Sequence, residues 1–432
     1  MAEQTTVSLT DIQLFKQKAL HWANQFRVVC LLDSNNYPHT KYRSKDWVLA
    51  IDALEEIRCG KNAFEEMGRF QRKVNSNIFG FFSYDLKNQI ENLSSKNHDG
   101  IKFPELYFFK PRYILEISGS KLTVNRNYPE TYELIERIKR ITDCKKQTPN
   151  KLSIKCRTDK KEYLQRVNSI RKQIEEGDFY ELNYCVEFFS EHADLKPAEV
   201  FLGLNEKSKA PFSCFLKLNH KYLLCASPER FLKKERCKLV AQPIKGTIRK
   251  GKSKQENEKL KTQLQFDVKE RAENVMIVDL VRNDLAKSSK KGSVNVEELF
   301  GLYEFNTVNQ MISTITSETN TENVAEIISH AFPMGSMTGA PKIEVMKNIE
   351  RYENFKRGLF SGSVGYITPE NDFDFNVVIR SILYNSEKKY ISIPAGGAIT
   401  YDSVPEKEWD EILLKAKGVM EVLNADLTTS TS

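Results

Sequence analysis

The chain has 432 residues, 40% of them hydrophobic and 28% charged, with a negative mean hydropathy; this is a soluble, globular composition, long enough for a large core. No run approaches the ~18 apolar residues that would span a bilayer, and the opening MAEQTTVSLTDIQ lacks the basic and apolar regions of a signal peptide, so a cytoplasmic location is expected. The net charge of +7 gathers in lysines at 249–261 and 287–291 with no aromatics interleaved, which reads as solvated surface and not as a nucleic-acid site.

Residues 1–150 form a strand-rich N-terminal region, with short apolar runs in FRVVCLL, WVLAI, FGFFSY, ELYFF, YILEIS and KLTVN. The polar stretch 128–152 predicts an exposed helix and then a linker ending KKQTPNKLS. The second region, 155–427, opens with a helix over 158–176 that Gly177 stops. A helix over 256–280 is predicted from Leu260, Leu264, Val268, Ala272 and Met276 as its apolar face, and another over 406–424 from Trp409, Ile412, Leu413, Ala416, Val419, Met420 and Leu423. Strands rich in β-branched and aromatic residues (YLLCAS, GYITP, FNVVIRSILY, YISIPAG) lie around them, and TTSTS closes the chain as a frayed tail. The fold class is α+β with large antiparallel sheets; no P-loop and no G-x-G-x-x-G is present. Eight cysteines without a C-x-x-C pair or zinc spacing describe a reduced protein and not a disulfide scaffold.

Five constellations could carry chemistry. Glu270 and Glu273, and again Glu408 and Glu411, stand three apart on the two helices, and residues i and i+3 share a helix face. Two such pairs facing each other would make an oxygen-rich Mg²⁺ site; surface ion pairing, such as Glu411 with Lys415, fits the spacing too. Glu229, in Ser227-Pro228-Glu229-Arg230-Phe231 after a strand, could be a general acid with a raised pKa, or half of a surface pair with arginine. Lys245, between apolar neighbours in PIKGT, could be desolvated into a free, nucleophilic amine, or could snorkel or pair with an acid. The run Pro333–Lys342, containing Gly335, Thr338 and Lys342, could cradle an anion ahead of a helix or merely cap it. Arg380, alone in the apolar run FNVVIRS, needs an anionic partner.

In order and spacing, PIKGT, DVKERAENVMIVDLVRNDLA, GSVNVEELF, MISTI, FPMGSMTGAPK, SGSVGY, DFNVVIR and AGGAI-x-x-DS followed by EKEWDEILLKAKG resemble the C-terminal core of the chorismate-utilising enzymes. That family includes aminodeoxychorismate, anthranilate, isochorismate and salicylate synthases. The resemblance runs from about 158 to 424, with weaker matches in LLDS at 31–34 and GFFSYDL at 80–86. It implies an anthranilate-synthase-like sandwich of two large antiparallel sheets with flanking helices and the active site between the sheets. It also implies Mg²⁺ held directly by Glu273 and Glu411, with Glu270 and Glu408 holding its waters. Arg380, Tyr366, Gly246, Thr247 and the backbone near Gly397 are implied to hold substrate carboxylates, joined by Gly335, Thr338 and Lys342 of the glycine-rich run. Glu229 is similar to the acid that protonates the departing C4 hydroxyl.

Within the family, lysine in PIKGT resembles the aminodeoxychorismate synthases, whereas anthranilate synthases usually have alanine there. The resemblance thus implies that the Lys245 amine attacks C2 of chorismate, that ammonia then enters at C4, and that ammonia comes from a separate glutamine amidotransferase subunit. The product would be 4-amino-4-deoxychorismate, for p-aminobenzoate and folate. Two positions depart from the pattern: Gln310 stands where the family commonly has histidine, and Glu181 where ammonia users usually have glutamine and water users lysine. An anthranilate synthase large subunit, suggested by LLDS, is the rival reading. A chorismate- or tryptophan-binding regulatory protein without turnover, suggested by Gln310, is the rival of another class.

Overall fold

The computed structural model describes residues 4–37, 41–125, 131–142 and 151–428. Of the stretch 128–152 read as a helix and linker, residues 128–130 and 143–150 lie outside them, as do the tail residues 429–432. The strand Val28–Asp33 shows how the layers arise. Val29 and Leu31 pack into a core covered by helices, while Val28 and Cys30 pack into a second core between sheets. A strand buried on both faces requires an unbroken apolar run in place of alternation, and VVCLL supplies one.

One antiparallel layer runs, neighbour to neighbour, through Gln4–Ser8, Lys121–Asn125, Leu106–Ser118, Trp47–Cys59, Val28–Asp33, Phe212–Leu218, Lys221–Ser227, Ser381–Asn385, Tyr390–Ile399 and Glu181–Ser190. The other runs through Ile78–Phe82, Ser363–Ile367, Phe373–Asn376, Arg230–Glu235, Lys238–Gln242 and Val308–Glu318, with Ile244–Arg249 and Asn295–Glu304 also paired to the last. The 13-residue strands Trp47–Cys59 and Leu106–Ser118 join the two layers. Their pairing shifts register between Ala53 and Glu55, next to Asp52 with its positive φ of 59°, and beyond that bend Leu106–Phe109 pair with Ile78–Phe82. A bulge of this kind bends and twists a strand pair. The result is the expected α+β sandwich of antiparallel sheets with flanking helices. Strands from the first 125 residues pair directly with strands beyond 200, Val28–Asp33 with Phe212–Leu218 and Ile78–Phe82 with Ser363–Ile367.

The helix predicted at 158–176 spans Lys160–Glu176, capped by the Asp159 side chain and ended by Gly177 at φ 88°. The one predicted at 406–424 spans Pro405–Met420 and buries Trp409, Ile412, Ala416, Val419 and Met420. The helix predicted at 256–280 is two helices, Lys254–Phe266 and Val268–Ala286. Asp267 divides them: it has extended backbone, and its carboxylate accepts from the Glu270 N–H, an N-cap that restarts the helix. The restart resets the phase, so the predicted stripe holds at Leu264 but not at Val268 or Ala272. Val268 is 83% exposed, and the buried face is Glu273, Asn274, Ile277, Val278, Asp284 and Leu285.

Candidate active site

Between the layers lies a cleft of about 540 Å³, walled by Val268–Ala286, Pro405–Met420, Ile244–Arg249 and Tyr390–Ile399. The N-cap at Asp267 and Pro405 in the first turn of the other helix fix where each helix begins, and thereby send Glu270, Glu273, Glu408 and Glu411 into this one cleft. Glycines let the backbone come close. Gly246 has φ 90°, and a Cβ there would stand 3.3 Å from the Glu270 carboxylate; a Cβ on Gly397 would stand 3.6 Å from Glu408 and 3.9 Å from Glu411. Lys269 reaches between the helices, 3.2 Å from Glu408 Oε1 and 3.7 Å from Glu273 Oε1. Lys415 bonds Glu411 at 2.6 Å.

As the side chains stand, no three Asp, Glu, His or Cys among the described residues are grouped tightly enough to hold a metal ion. The donor chemistry nonetheless suits a hard cation: four carboxylates from two helices converge around an ammonium that bridges two of them. The fields agree. Burial pushes the Glu273 carboxyl up to about 7, with Glu181 and Glu270 adding to the effect against Lys245. Burial and then Glu411 raise Glu270. Burial would raise Glu411 as well, but Lys415 outweighs it and holds that carboxylate below its usual range. Mutually repelling, partly dehydrated carboxylates are stabilised by any cation that enters.

Lys245 lines the floor of the cleft, and its ammonium lies 2.5 Å from Glu181 Oε1. Of the readings of this lysine, the structure shows the one in which it pairs with an acid. Burial does act to lower Lys245, but the opposing charges of Glu181 and Glu273, the bond from Glu181 and the nearby Glu229 outweigh it, and the ammonium is held above its ordinary range. The second oxygen of Glu181 is buried without a hydrogen-bond partner. Glu229 faces the same space, and burial pushes its carboxyl up to about 7 against the lowering influence of Ser336, Lys245 and the Ile244 backbone. SPERF thus places a buried carboxyl against the cleft and not a surface pair.

Arg380 holds φ 51° and enters the cleft with one hydrogen bond, to the Lys415 carbonyl at 3.4 Å. Among the described residues no carboxylate forms an ion pair with it, although Glu411 acts on its charge across the cleft, and its guanidinium is open to an anion. Thr247 and Gln310 meet across paired strands, with Gln310 Nε2 donating to Thr247 Oγ1 at 3.4 Å, and Gln310 Oε1 is buried and unpaired.

Four expected binding residues are elsewhere. Tyr366 lines a separate cavity of about 60 Å³ with Asp33, Ser34, Lys45, Arg230 and Asp374, because its strand pairs with Ile78–Phe82 at the other end of the sandwich. LLDS contributes Leu32, Asp33 and Ser34 to that cavity. Thr338 is fully buried, its hydroxyl donating to the Met334 and Gly335 carbonyls. Lys342 pairs with Asp284 at 2.5 Å, and Gly335 faces a cavity behind the cleft. From the glycine-rich run, Ser336 and Met337 reach the cleft instead. Sequence reasoning also missed Lys269, whose signal was its i,i+4 spacing to Glu273.

The sequence profile of chorismate binding enzyme matches residues 21–421. The chain belongs to this family. It is 42% identical over 270 residues to an aminodeoxychorismate synthase, chloroplastic, of Arabidopsis thaliana, covering 61% of this chain and 29% of that protein. It is 31% identical over 360 residues to aminodeoxychorismate synthase component 1 of Bacillus subtilis, covering 80% of this chain and 76% of that one. The chain thus spans less than a third of the length of the plant relative. Its fold superposes on anthranilate synthase component I from Streptococcus pneumoniae with a TM-score of 0.77 at 22% identity, over 88% of this chain and 94% of the other. The four glutamates, Lys245 and Arg380 line one and the same cleft of this family member.

Proposed function

We propose that this chain aminates chorismate to 4-amino-4-deoxychorismate, a step toward p-aminobenzoate and folate. The observation that carries the reading is a buried lysine, Lys245, set in one cleft with a carboxyl raised to about 7, Glu229. The first is a nucleophile once it gives its proton to Glu181, which touches it. The second is a general acid that keeps its proton near neutrality.

The Lys245 amine bonds to C2, both ring double bonds shift, and the C4–O bond breaks as Glu229 protonates the departing hydroxyl to water. Ammonia then bonds to C4, both double bonds shift back, and the C2–Nζ bond breaks to return the lysine, which takes its proton back from Glu181. The proton lost by the incoming nitrogen restores Glu229. Arg380 orients a substrate carboxylate by a charge-assisted pair, and Thr247, Gly246 and the backbone near Gly397 close the cleft around it. Glu273 and Glu411 would hold Mg²⁺, with Glu270 and Glu408 behind them. When bound, the metal supplies positive charge against the substrate carboxylate.

Ammonia is proposed to come from a separate glutamine amidotransferase; the Bacillus relative is named a component 1, which supports a second component. No helix among the described residues is long and apolar enough to cross a membrane, and the described cysteines are free thiols, the state of a reducing compartment. That supports a cytoplasmic site for the reaction.

The test is the product formed from chorismate, Mg²⁺ and ammonium chloride, identified by mass and ultraviolet spectrum. Aminodeoxychorismate is expected. Anthranilate would hand the protein to the tryptophan branch, and no turnover would leave a binding protein.

A further inference from the structure

Behind Glu229 lies a small cavity that the chemistry above leaves unused. It shares a wall with the cleft, because Glu229 and Ser336 line both. Much of the remaining wall is apolar, including Phe231, Leu232, Val281, Leu285, Met334 and Val377. One further carboxylate lines it, Asp284, which bonds Lys342 at 2.5 Å and the half-exposed Lys287 at 3.3 Å. The cavity therefore extends from the catalytic acid to an ion pair that reaches toward solvent.

Its volume is about 20 Å³. A cavity needs roughly 10–15 Å³ on this measure to hold one water, so a molecule the size of water fits and a ring does not. The occupant must also be polar. The Ser336 hydroxyl, 94% buried, makes no hydrogen bond of acceptable geometry, although it faces Glu229. A molecule beside them would give that hydroxyl and the Glu229 carboxyl the well-directed bonds they do not make to each other. A charged occupant is disfavoured by the apolar walls and by Lys342 and Lys287 beside Asp284. A neutral, water-sized molecule that both donates and accepts hydrogen bonds is what remains.

We propose that this cavity seats ammonia, holding one molecule at Ser336 and Glu229 and passing it to the substrate on the side where Glu229 acts. The inference rests on the amination reading, which supplies ammonia as co-substrate. With chorismate seated in the 540 Å³ cleft, the cavity gives ammonia a way to the reacting carbon that the substrate does not occupy. It also gives Asp284 and Lys342, drawn from two sequence motifs but absent from the cleft, a shared place on that way.

Val281 touches the cavity but not the cleft, so changing its size tests the idea. Val281→Phe should raise the KM for ammonium chloride on the order of tenfold while the KM for chorismate moves less than about twofold. Val281→Ala should admit methylamine as amine donor, improving its use over wild type on the order of tenfold, since one carbon in an apolar pocket is worth about 10–200-fold. The alanine variant keeps the test alive if the phenylalanine variant misfolds. Unchanged ammonium kinetics and no gain in methylamine use would show that ammonia comes through the open cleft and that the cavity holds a structural water only. A crystal of Val281→Ala grown with methylamine gives an arm independent of turnover. Density for a two-atom molecule beside Ser336 Oγ is expected, and a cavity that holds a single atom or none overturns the inference. Failure of the wild type to aminate chorismate counts separately, against the function.

Discussion

Lys245 Nζ and Glu181 Oε1 lie 2.5 Å apart, with 9% and 1% of the two side chains exposed. A lysine held this way is an ammonium at neutral pH, since Glu181 and its neighbours raise it despite burial. To act as a nucleophile it must pass its proton on, and Glu181 is the group in contact. Glu181→Gln removes the charge and leaves a buried ammonium with weaker support, which burial then deprotonates more readily. If the free amine is the reacting form, the acid limb of kcat/KM against pH should move to lower pH in Glu181→Gln. The shift is to be checked by trace labelling of Lys245 with an amine-selective reagent across the same pH range. An unmoved labelling curve would mean that Glu181 does not govern this lysine.

Lys245→Ala should cut aminodeoxychorismate formation at least roughly 100-fold, the loss of a covalent nucleophile from a site otherwise intact. In the wild type, chorismate with Mg²⁺ and no ammonia should leave an adduct on Lys245 that intact-protein mass and peptide mapping detect. Residual product from the alanine variant should shift toward anthranilate, because ammonia is then free to add at C2. Wild-type amination by the alanine variant would reduce Lys245 to an electrostatic neighbour.

What could be read from the sequence divides along a physical line. Helical spacing put the four glutamates on two faces, and Lys245, Glu229 and Arg380 stood out as polar groups among apolar ones, but only the resemblance of the surrounding motifs to a family brought them into one site. The apolar runs also gave the strands. Glu181 against Lys245 was not legible, as 64 residues separate them and the contact depends on how two sheets meet. Nor was the placing of Tyr366: alternation says which face of a strand a residue takes, but not which of two cavities that face borders. The bend at Asp52 that joins the sheets carries no pattern in the sequence beyond a residue that tolerates positive φ. The break at Asp267 was readable in principle, from an aspartate three residues ahead of Glu270.

Lys269 bridges Glu273 and Glu408 in the space between the helices, where a divalent cation would compete with it. Lys269→Met should therefore tighten the apparent affinity for Mg²⁺, measured by calorimetry on the isolated protein, while Glu273→Gln and Glu411→Gln should abolish binding and turnover. Glu270→Gln and Glu408→Gln should be milder, with losses on the order of 10–100-fold. Full activity in EDTA would remove Mg²⁺ from the account.

Glu229 links activity and stability through one proton. As the general acid it must be protonated, so kcat/KM should fall as pH rises through about 7, and Glu229→Gln should lose on the order of 10²–10⁴-fold without that limb. The folded pKa lies above the ordinary carboxylate value because burial disfavours the charge. The native state therefore binds more protons than the unfolded chain between about 4.5 and about 7. Its contribution to stability is fully present below the unfolded pKa and is lost as pH rises through the folded one. Glutamine has no such charge to bury. The melting temperature of Glu229→Gln relative to wild type should consequently rise between pH 5 and pH 8, with no substrate present. A difference that stays flat across that range would mean that Glu229 is ionised at little cost, and the acid assigned to the C4 hydroxyl would have to be sought elsewhere in the cleft.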